Sequence, residues 1–346
     1  MKLGIERWQG AAGVLGVVMA AGCGGAGGEP ATPAAAGANG AAASGEAGAA
    51  GSGAAATASA QPAAASKKRA TLRFELGGDD FPAPLVDVIV SGHPATMIVD
   101  TGATHQVIAT WVAEQVGQTA ASSDVGLDHA GKRLTLGKLV GGTIAVSGWG
   151  AIDASNAVVT KVPAPLQKRG IGGVLSPQAL ASDEAAVVLD FRRGQMTAAP
   201  LADALRALES EAGSAIEGEV RSCGPGGGAL LFVRASVAGM EVDAQLDTGA
   251  TETTVRATSE TGARLWAKAK AEATAIAASG VFTVPVVEGA RVKVGALEVD
   301  TNVGLVTKDA RPVCPNDTLL GMDVLRRCVI VIGAKVVAAR CSAPPA

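Results

Sequence analysis

Two aspartates, Asp100 and Asp247, open identical pentapeptides, Asp-Thr-Gly-Ala-Thr, in a chain of 346 residues. Two carboxylates held about 3 Å apart cannot both ionise cheaply, so they share a proton and titrate as a unit. The ionised member can take a proton from water while the protonated member polarises a carbonyl. General acid–base work of this kind supplies on the order of 10²–10⁴-fold. Gly102 and Gly249 suit a tight turn and a close approach of two loops. One Asp-Thr-Gly alone is weak evidence, because an aspartate can also cap a surface turn. What surrounds the two copies decides the matter.

The chain repeats itself around these loops. Leu85 to Ile108 and Phe232 to Val255 align without a gap at a constant offset of 147 residues. Each copy begins with alternating or β-branched residues: Val86, Val88 and Val90, then Val233 and Val237. Each turns at a glycine, Gly92 or Gly239, and runs through a second short strand into the acidic loop. A second signature follows in each. Val174-Leu175-Ser176 ends 76 residues after Asp100, and Leu319-Leu320-Gly321 ends 74 after Asp247. Each leads through a short segment, ending at Leu180 or Leu325, to a strand at 186–191 or 328–332. Further strand-like runs lie at 143–147, 157–162, 284–287, 290–294 and 303–306. Leu201, Leu205 and Leu208 have helical spacing and predict a short amphipathic helix closing the first unit. The reading is all-β with a few short helices, in two tandem barrel-like units at 69–205 and 218–343 joined by a linker at 206–217.

The remaining segments carry no core. Residues 24–68 are a tether, almost only Ala, Gly, Ser, Thr and Pro from Gly24 to Ser66, too poor in bulky apolar groups to offset ordering entropy. Residues 1–23 read as a targeting segment: Lys2 and Arg7, a short apolar run from Gly10 to Ala20, then Ala21-Gly22-Cys23. The run is shorter than the roughly 20 residues a lasting membrane helix needs. Small residues leading into a cysteine resemble a bacterial lipobox, with Cys23 lipidated, although Ala20 stands where a leucine is usual. Ordinary secretion with nearby cleavage is the other reading. The expectation is an exported bacterial lipoprotein, membrane-anchored through Cys23 and facing the periplasm or cell surface. A net charge of −3 without a basic patch gives nucleic-acid binding no support. Four further cysteines lie in the C-terminal half. Cys328 and Cys341 flank a terminal hairpin and suit a cross-strand disulfide, leaving Cys223 for Cys314; four buried thiols are the alternative. No CxxC occurs and the histidines sit in the other half, so no metal site is expected.

Together the twin DTGAT loops and the later hydrophobic–hydrophobic–small signatures resemble the retropepsin-like aspartic proteases, over roughly 250 residues. The resemblance implies two acid-protease halves forming a pseudo-twofold bilobal unit, an intramolecular pseudo-dimer that works as a monomer. It implies Asp100 and Asp247 as the catalytic pair. It implies active-site support from Thr101 and Thr248, hydrogen-bonded across the interface, and from Gly102 and Gly249. It implies a peptide or protein substrate and no cofactor. Pairing of each unit with its counterpart in a second chain is a further arrangement.

Departures from the pattern leave a second reading open: a catalytically silent peptide-binding or scaffolding protein of the same fold. Ser176 stands where glycine is expected. The chain has no tyrosine, so a flap of the pepsin type is excluded; candidate flaps are Gly126 to Leu136, with Gly131 at the tip, and Ala278 to Val284, with Gly280. His105 follows the first DTGAT but Glu252 the second, which points to a solvated side chain rather than a shared role. Trp111, Trp149 and Trp266 are expected in the core or cleft lining.

Overall fold

In the first unit of the computed structural model, β1 (Arg69–Thr71), β2 (Arg73–Leu76), β3 (Asp79–Val90), β4 (His93–Val99) and β5 (Val107–Ala109) precede α1 (Thr110–Gln115). Then come β6 (Ser122–Leu127), β7 (Arg133–Lys138), β8 (Ile144–Val146), β9 (Gly150–Ile152), β10 (Val158–Thr160), α2 (Ala164–Lys168) and β11 (Ile171–Leu175). A 3-10 turn (Gln178–Leu180), β12 (Ala185–Asp190), β13 (Gln195–Pro200) and α3 (Leu201–Glu209) close the unit. The second unit runs β14 (Ser214–Cys223), β15 (Gly228–Val237), β16 (Met240–Leu246), β17 (Thr254–Arg256), α4 (Glu260–Trp266), β18 (Ala271–Ala277), β19 (Gly280–Val294) and β20 (Leu297–Val306). It ends with β21 (Thr318–Leu320), α5 (Met322–Leu325), β22 (Cys328–Ile332) and β23 (Val336–Cys341). The structure describes residues 68–118, 122–127, 132–155, 157–223, 228–307 and 317–343. The signal segment with Cys23, nearly all of the tether, the Gly131 tip and the Cys223–Cys314 pairing lie outside the described residues.

The hairpins that lead into the acidic loops form for a local reason. β3 and β4 are joined by Ser91-Gly92, β15 and β16 by Ala238-Gly239, and all four residues have positive φ. That geometry matches the twist of the flanking strands, and glycine at the second position removes half of its steric cost. Alternation then sorts the faces. Val86, Val88, Val90, Met97 and Val99 go into the main core; Phe81, Ala83, Leu85 and Ile98 go to the opposite face.

Each acidic loop sits at a strand crossing. β11 runs parallel to β4 and antiparallel to β5, so it threads between the strands on either side of the first loop. β21 does the same between β16 and β17. The registers superpose the two signatures: Val174 and Leu175 lie beside Ile98 and Val99, and Leu319 and Leu320 beside Gln245 and Leu246. Ser176 and Gly321 are therefore equivalent positions.

The protein is all-β with short helices, in two tandem protease-like halves. They are not self-contained barrels. β1, β13 and β12 of the first half join β22, β23 and β14 of the second in one continuous sheet, with β12 hydrogen-bonded to β22. α3 covers that junction, burying Ala204 and Leu208 on Ala186, Val329 and Val331. The expected helix at Leu201, Leu205 and Leu208 is this one. α3 and β14 each take four residues of the 206–217 stretch expected as a linker, leaving only residues 210–213 between them. Cys328 and Cys341 face each other across β22 and β23 and are disulfide-bonded.

Candidate active site

Asp100 and Asp247 each follow the last residue of a central strand, where a side chain must leave the ladder. Their backbone amides stay pinned to the crossing strand: Asp100 N donates to Leu175 O at 2.9 Å and Asp247 N to Leu320 O at 3.0 Å. Local amides then aim the carboxylates. Asp100 Oδ1 accepts from Gly102 N at 2.6 Å; Asp247 Oδ1 accepts from Gly249 N and Ala250 N, both at 3.0 Å. Both aspartates are fully buried.

The loops meet. The Asp100 carboxyl lies close enough to Asp247 to act on its ionisation. Complete burial, then the Asp100 charge and the closeness of its carboxyl, hold the Asp247 carboxyl well above the usual carboxylate range, while the Ala250 and Gly249 amides oppose the shift. Gly102 makes the approach feasible. A Cβ there would lie 2.5 Å from Asp247 Oδ2 and 2.6 Å from its Cγ. The sequence reading assigned Gly102 to a tight turn and a close approach of the loops, and what comes close to it is the opposite carboxyl.

The threonines brace the crossing. Thr101 Oγ1 donates to Leu246 O at 2.8 Å and accepts from Thr248 N at 3.0 Å. Thr248 Oγ1 donates to Val99 O at 2.6 Å and accepts from Thr101 N at 3.0 Å. Val99 and Leu246 are the residues just before the two aspartates. Each buried hydroxyl thus serves as both donor and acceptor.

Beneath this symmetric layer the halves differ. Ser176, the departure from glycine, donates from Oγ to Ala103 O at 2.7 Å. Its amide donates to Gln106 Oε1 and its carbonyl accepts from Gln106 Nε2, both at 2.9 Å. The serine is accommodated by bonding rather than by space. Gln178 adds bonds from Nε2 to Thr101 O, Ala103 O and Ala229 O, tying the first loop to β15 of the other half. In the second half Thr253 and Asp323 take those two positions. Asp323 accepts from Thr253 Oγ1 at 3.0 Å and Thr301 Oγ1 at 2.9 Å, and its burial raises its pKa. Gly321 cannot be serine, since its Cβ would sit 2.5 Å from the backbone of Glu252. Burial first, and the Asp323 charge second, push the half-buried Glu252 up to about 7. None of Gln106, Gln178, Glu252 and Asp323 was singled out from sequence as site support. Their signal was polar residues at matched offsets behind both loops.

Other expectations fare unevenly. His105 is half-buried, not fully solvated, with Nδ1 2.8 Å from Thr104 Oγ1. Trp149 is buried, and half-buried Trp111 donates its indole N–H to Ile171 O at 3.2 Å. Trp266, expected inside, is 51% exposed, because it ends α4 on the side away from buried Leu265. Both flap candidates fall on hairpins, β6–β7 and β18–β19. Among the described residues no three His, Cys, Asp or Glu side chains gather as metal ligands would.

Comparison with known proteins gives matches in both halves. Residues 86–176 match the family described as "Aspartyl protease". Residues 233–327 match the family described as "gag-polyprotein putative aspartyl protease". Each match takes in one acidic loop and reaches its crossing strand. No curated protein matches the chain. Among solved structures, basic 7S globulin from soybean is similar at 9% identity and a TM-score of 0.44, over 80% of this chain and 95% of that one.

Proposed function

Since the chain belongs to the retropepsin-like aspartic protease family in both halves, we propose that it is an aspartic endopeptidase whose Asp100–Asp247 pair activates water against a peptide bond. The observation that carries this reading is the pair of fully buried carboxyls brought together by loops that Thr101 and Thr248 brace against each other. Two acids in contact share one proton, and burial favours that singly charged state over the doubly charged one. The ionised carboxylate takes a proton from water as the water oxygen bonds to the carbonyl carbon. The protonated carboxyl donates to the carbonyl oxygen. A tetrahedral diol results. Proton transfer to the nitrogen then lets the C–N bond break, giving a free acid and a free amine and restoring the pair. The Leu175 and Leu320 carbonyls and the loop amides fix both acids before substrate arrives, so little reorganisation accompanies the reaction.

The deciding experiment is digestion of a peptide library between about pH 3 and 7 with the wild type, Asp100→Asn and Asp247→Asn. Each variant should lose at least about 10²-fold in activity while keeping the wild-type circular dichroism spectrum. A single variant with full activity would end the paired mechanism. An inert wild type that binds no statine peptide would favour a silent scaffold.

The same proposal places this body outside the cytoplasm on a lipid attached to Cys23, supported by the sequence of residues 1–23 alone. Mass spectrometry of the N-terminal peptide from membranes tests it; an unmodified Cys23 refutes it. No helix among the described residues is long and apolar enough to cross a membrane.

A further inference from the structure

The tip of a hairpin is ordinarily its most solvated part, but the β18–β19 hairpin departs from this. Ala277 pairs with Gly280, so Ala278 and Ser279 form the turn. Ala278 is only 7% exposed. Its surroundings belong to the first half: Ala278 and Ser279 wall a cavity whose other sides are α1, β7 and β10. Two further contacts lay the hairpin on that half. Ile276 packs with Leu85, Ile98 and Leu166. Lys132, beside β7, lies over the Phe282 ring, 5.8 Å from its centre.

The cavity holds about 600 Å³, the size of site that encloses a drug-sized molecule. Neither acidic loop lines it, so it is separate from the Asp100–Asp247 pair. Its walls carry three charges. Glu114 comes from α1, one turn after Thr110 and on the same face. Arg133 begins β7, and Lys161 directly follows β10. None of the three has an ion-pair partner among the described residues, whereas Arg264 and Glu260 on α4 satisfy one another. The remaining lining is small and apolar, with Ala113, Leu134 and Val159 beside Ala278, and hydroxyls from Thr110 and Thr135.

These groups select by charge. An anion alone would meet the Glu114 carboxylate, and a cation alone would meet two cations. A nucleotide would find no ring to stack on, since no aromatic side chain lines the cavity. A neutral ligand would desolvate three charges without compensation. A molecule with a carboxylate at one end and an ammonium at the other satisfies all three.

We propose that this cavity binds the free ends of a short peptide, its carboxylate on Arg133 and Lys161 and its ammonium on Glu114. The bound peptide touches the Ala278–Ser279 turn and holds the β18–β19 hairpin against the first half. Contacts made only when the turn is docked shift the hairpin toward that state. Hydrolysis of a peptide bond creates one new carboxylate and one new amine. Fragments released by the Asp100–Asp247 pair therefore have the chemistry this cavity takes. Only that source of ligand rests on the hydrolase reading above; the binding does not.

Calorimetric titration of the full chain with trialanine tests this, beside acetyl-trialanine and trialanine amide. Trialanine should bind, and blocking either end should weaken it about tenfold, the loss of one charge-assisted contact. Arg133→Gln should weaken trialanine about tenfold and leave the affinity for the amide unchanged. Glu114→Gln should weaken trialanine equally and leave the affinity for the acetylated peptide unchanged. Both side chains are exposed, so both variants should fold as the wild type does. Bound trialanine should also slow amide exchange over residues 271–284. The site is wrong if none of the three peptides binds, if all bind equally, or if inorganic phosphate binds as tightly as trialanine. The hold on the hairpin is wrong if trialanine binds and exchange over 271–284 stays as it was. None of these readouts involves cutting, so the hydrolase reading is decided apart from them, by Asp100→Asn and Asp247→Asn.

Discussion

Thr101 and Thr248 each give their backbone amide to the other's hydroxyl, both at 3.0 Å. Each hydroxyl then donates to the carbonyl before the opposite aspartate. Valine at either position keeps the shape but strands an amide and a carbonyl in a buried interface. Thr101→Val and Thr248→Val should each cost about 1–3 kcal/mol of stability, read by urea unfolding, with a fall in kcat beyond any change in KM. Serine at either position should restore most of both. Wild-type stability in the valine variants would show that the bonds do not brace the loops.

Gly102→Ala tests the close approach of the loops. The added methyl would meet the Asp247 carboxyl at 2.5–2.8 Å, so either the carboxyl moves or the loops part. Loss of at least about 10²-fold in kcat is expected, with the far-UV spectrum kept. An active Gly102→Ala enzyme would mean that the two loops sit further apart.

Ser176→Gly asks whether the departure from glycine matters. The hydroxyl contributes one bond to Ala103 O, which Gln178 Nε2 also reaches. Its loss should cost roughly 0.5–1.5 kcal/mol and leave kcat within about threefold. The larger penalty belongs to Gly321→Ser, whose Cβ would enter the Glu252 backbone. Equal thermal shifts for the two variants would contradict this asymmetry.

Two pH effects separate catalysis from stability. The Asp247 pKa is raised by burial and by Asp100. Activity should therefore be lost as pH rises through that raised value, when the shared proton leaves, and again in strong acid, when both groups are protonated. Glu252 sits at about 7 against an ordinary 4.5. The folded chain binds more protons there than the unfolded chain, so this contribution to stability is complete below about pH 4.5 and is lost as pH rises to about 7. Glu252→Gln should flatten that decline by on the order of 1–2 kcal/mol, discounted for solvent screening of a half-buried group. Unfolding at pH 4.5 and 7.5 measures it. An unchanged slope would leave the decline to other groups, including Asp323.

Chemistry was more legible in the sequence than architecture. Identical acidic loops at one offset, each followed by its crossing signature, are hard constraints, since few residues satisfy a tight turn and a close approach together. Hairpins and the α3 helix carried local patterns. The sheet across the halves did not. β12 pairs with β22 over a sequence distance that no local pattern encodes, and β14 begins at Ser214, inside the stretch 206–217 expected as a linker. Gln178 reads as an ordinary turn residue until the carbonyls of Thr101, Ala103 and Ala229 converge on it. Ser176 looked like a defect because its partner, Gln106, is 70 residues away.

The seam between β12 and β22 stitches both halves into one polypeptide surface. A homodimer must write every change twice, once on each side of its axis. A duplicated chain joined in this way is free of that obligation. Isoleucine can face glutamine, serine can face glycine, and histidine can face glutamate, with each substitution tuned alone. The two ends of a bound peptide are never alike, and this chain has the means to treat them differently.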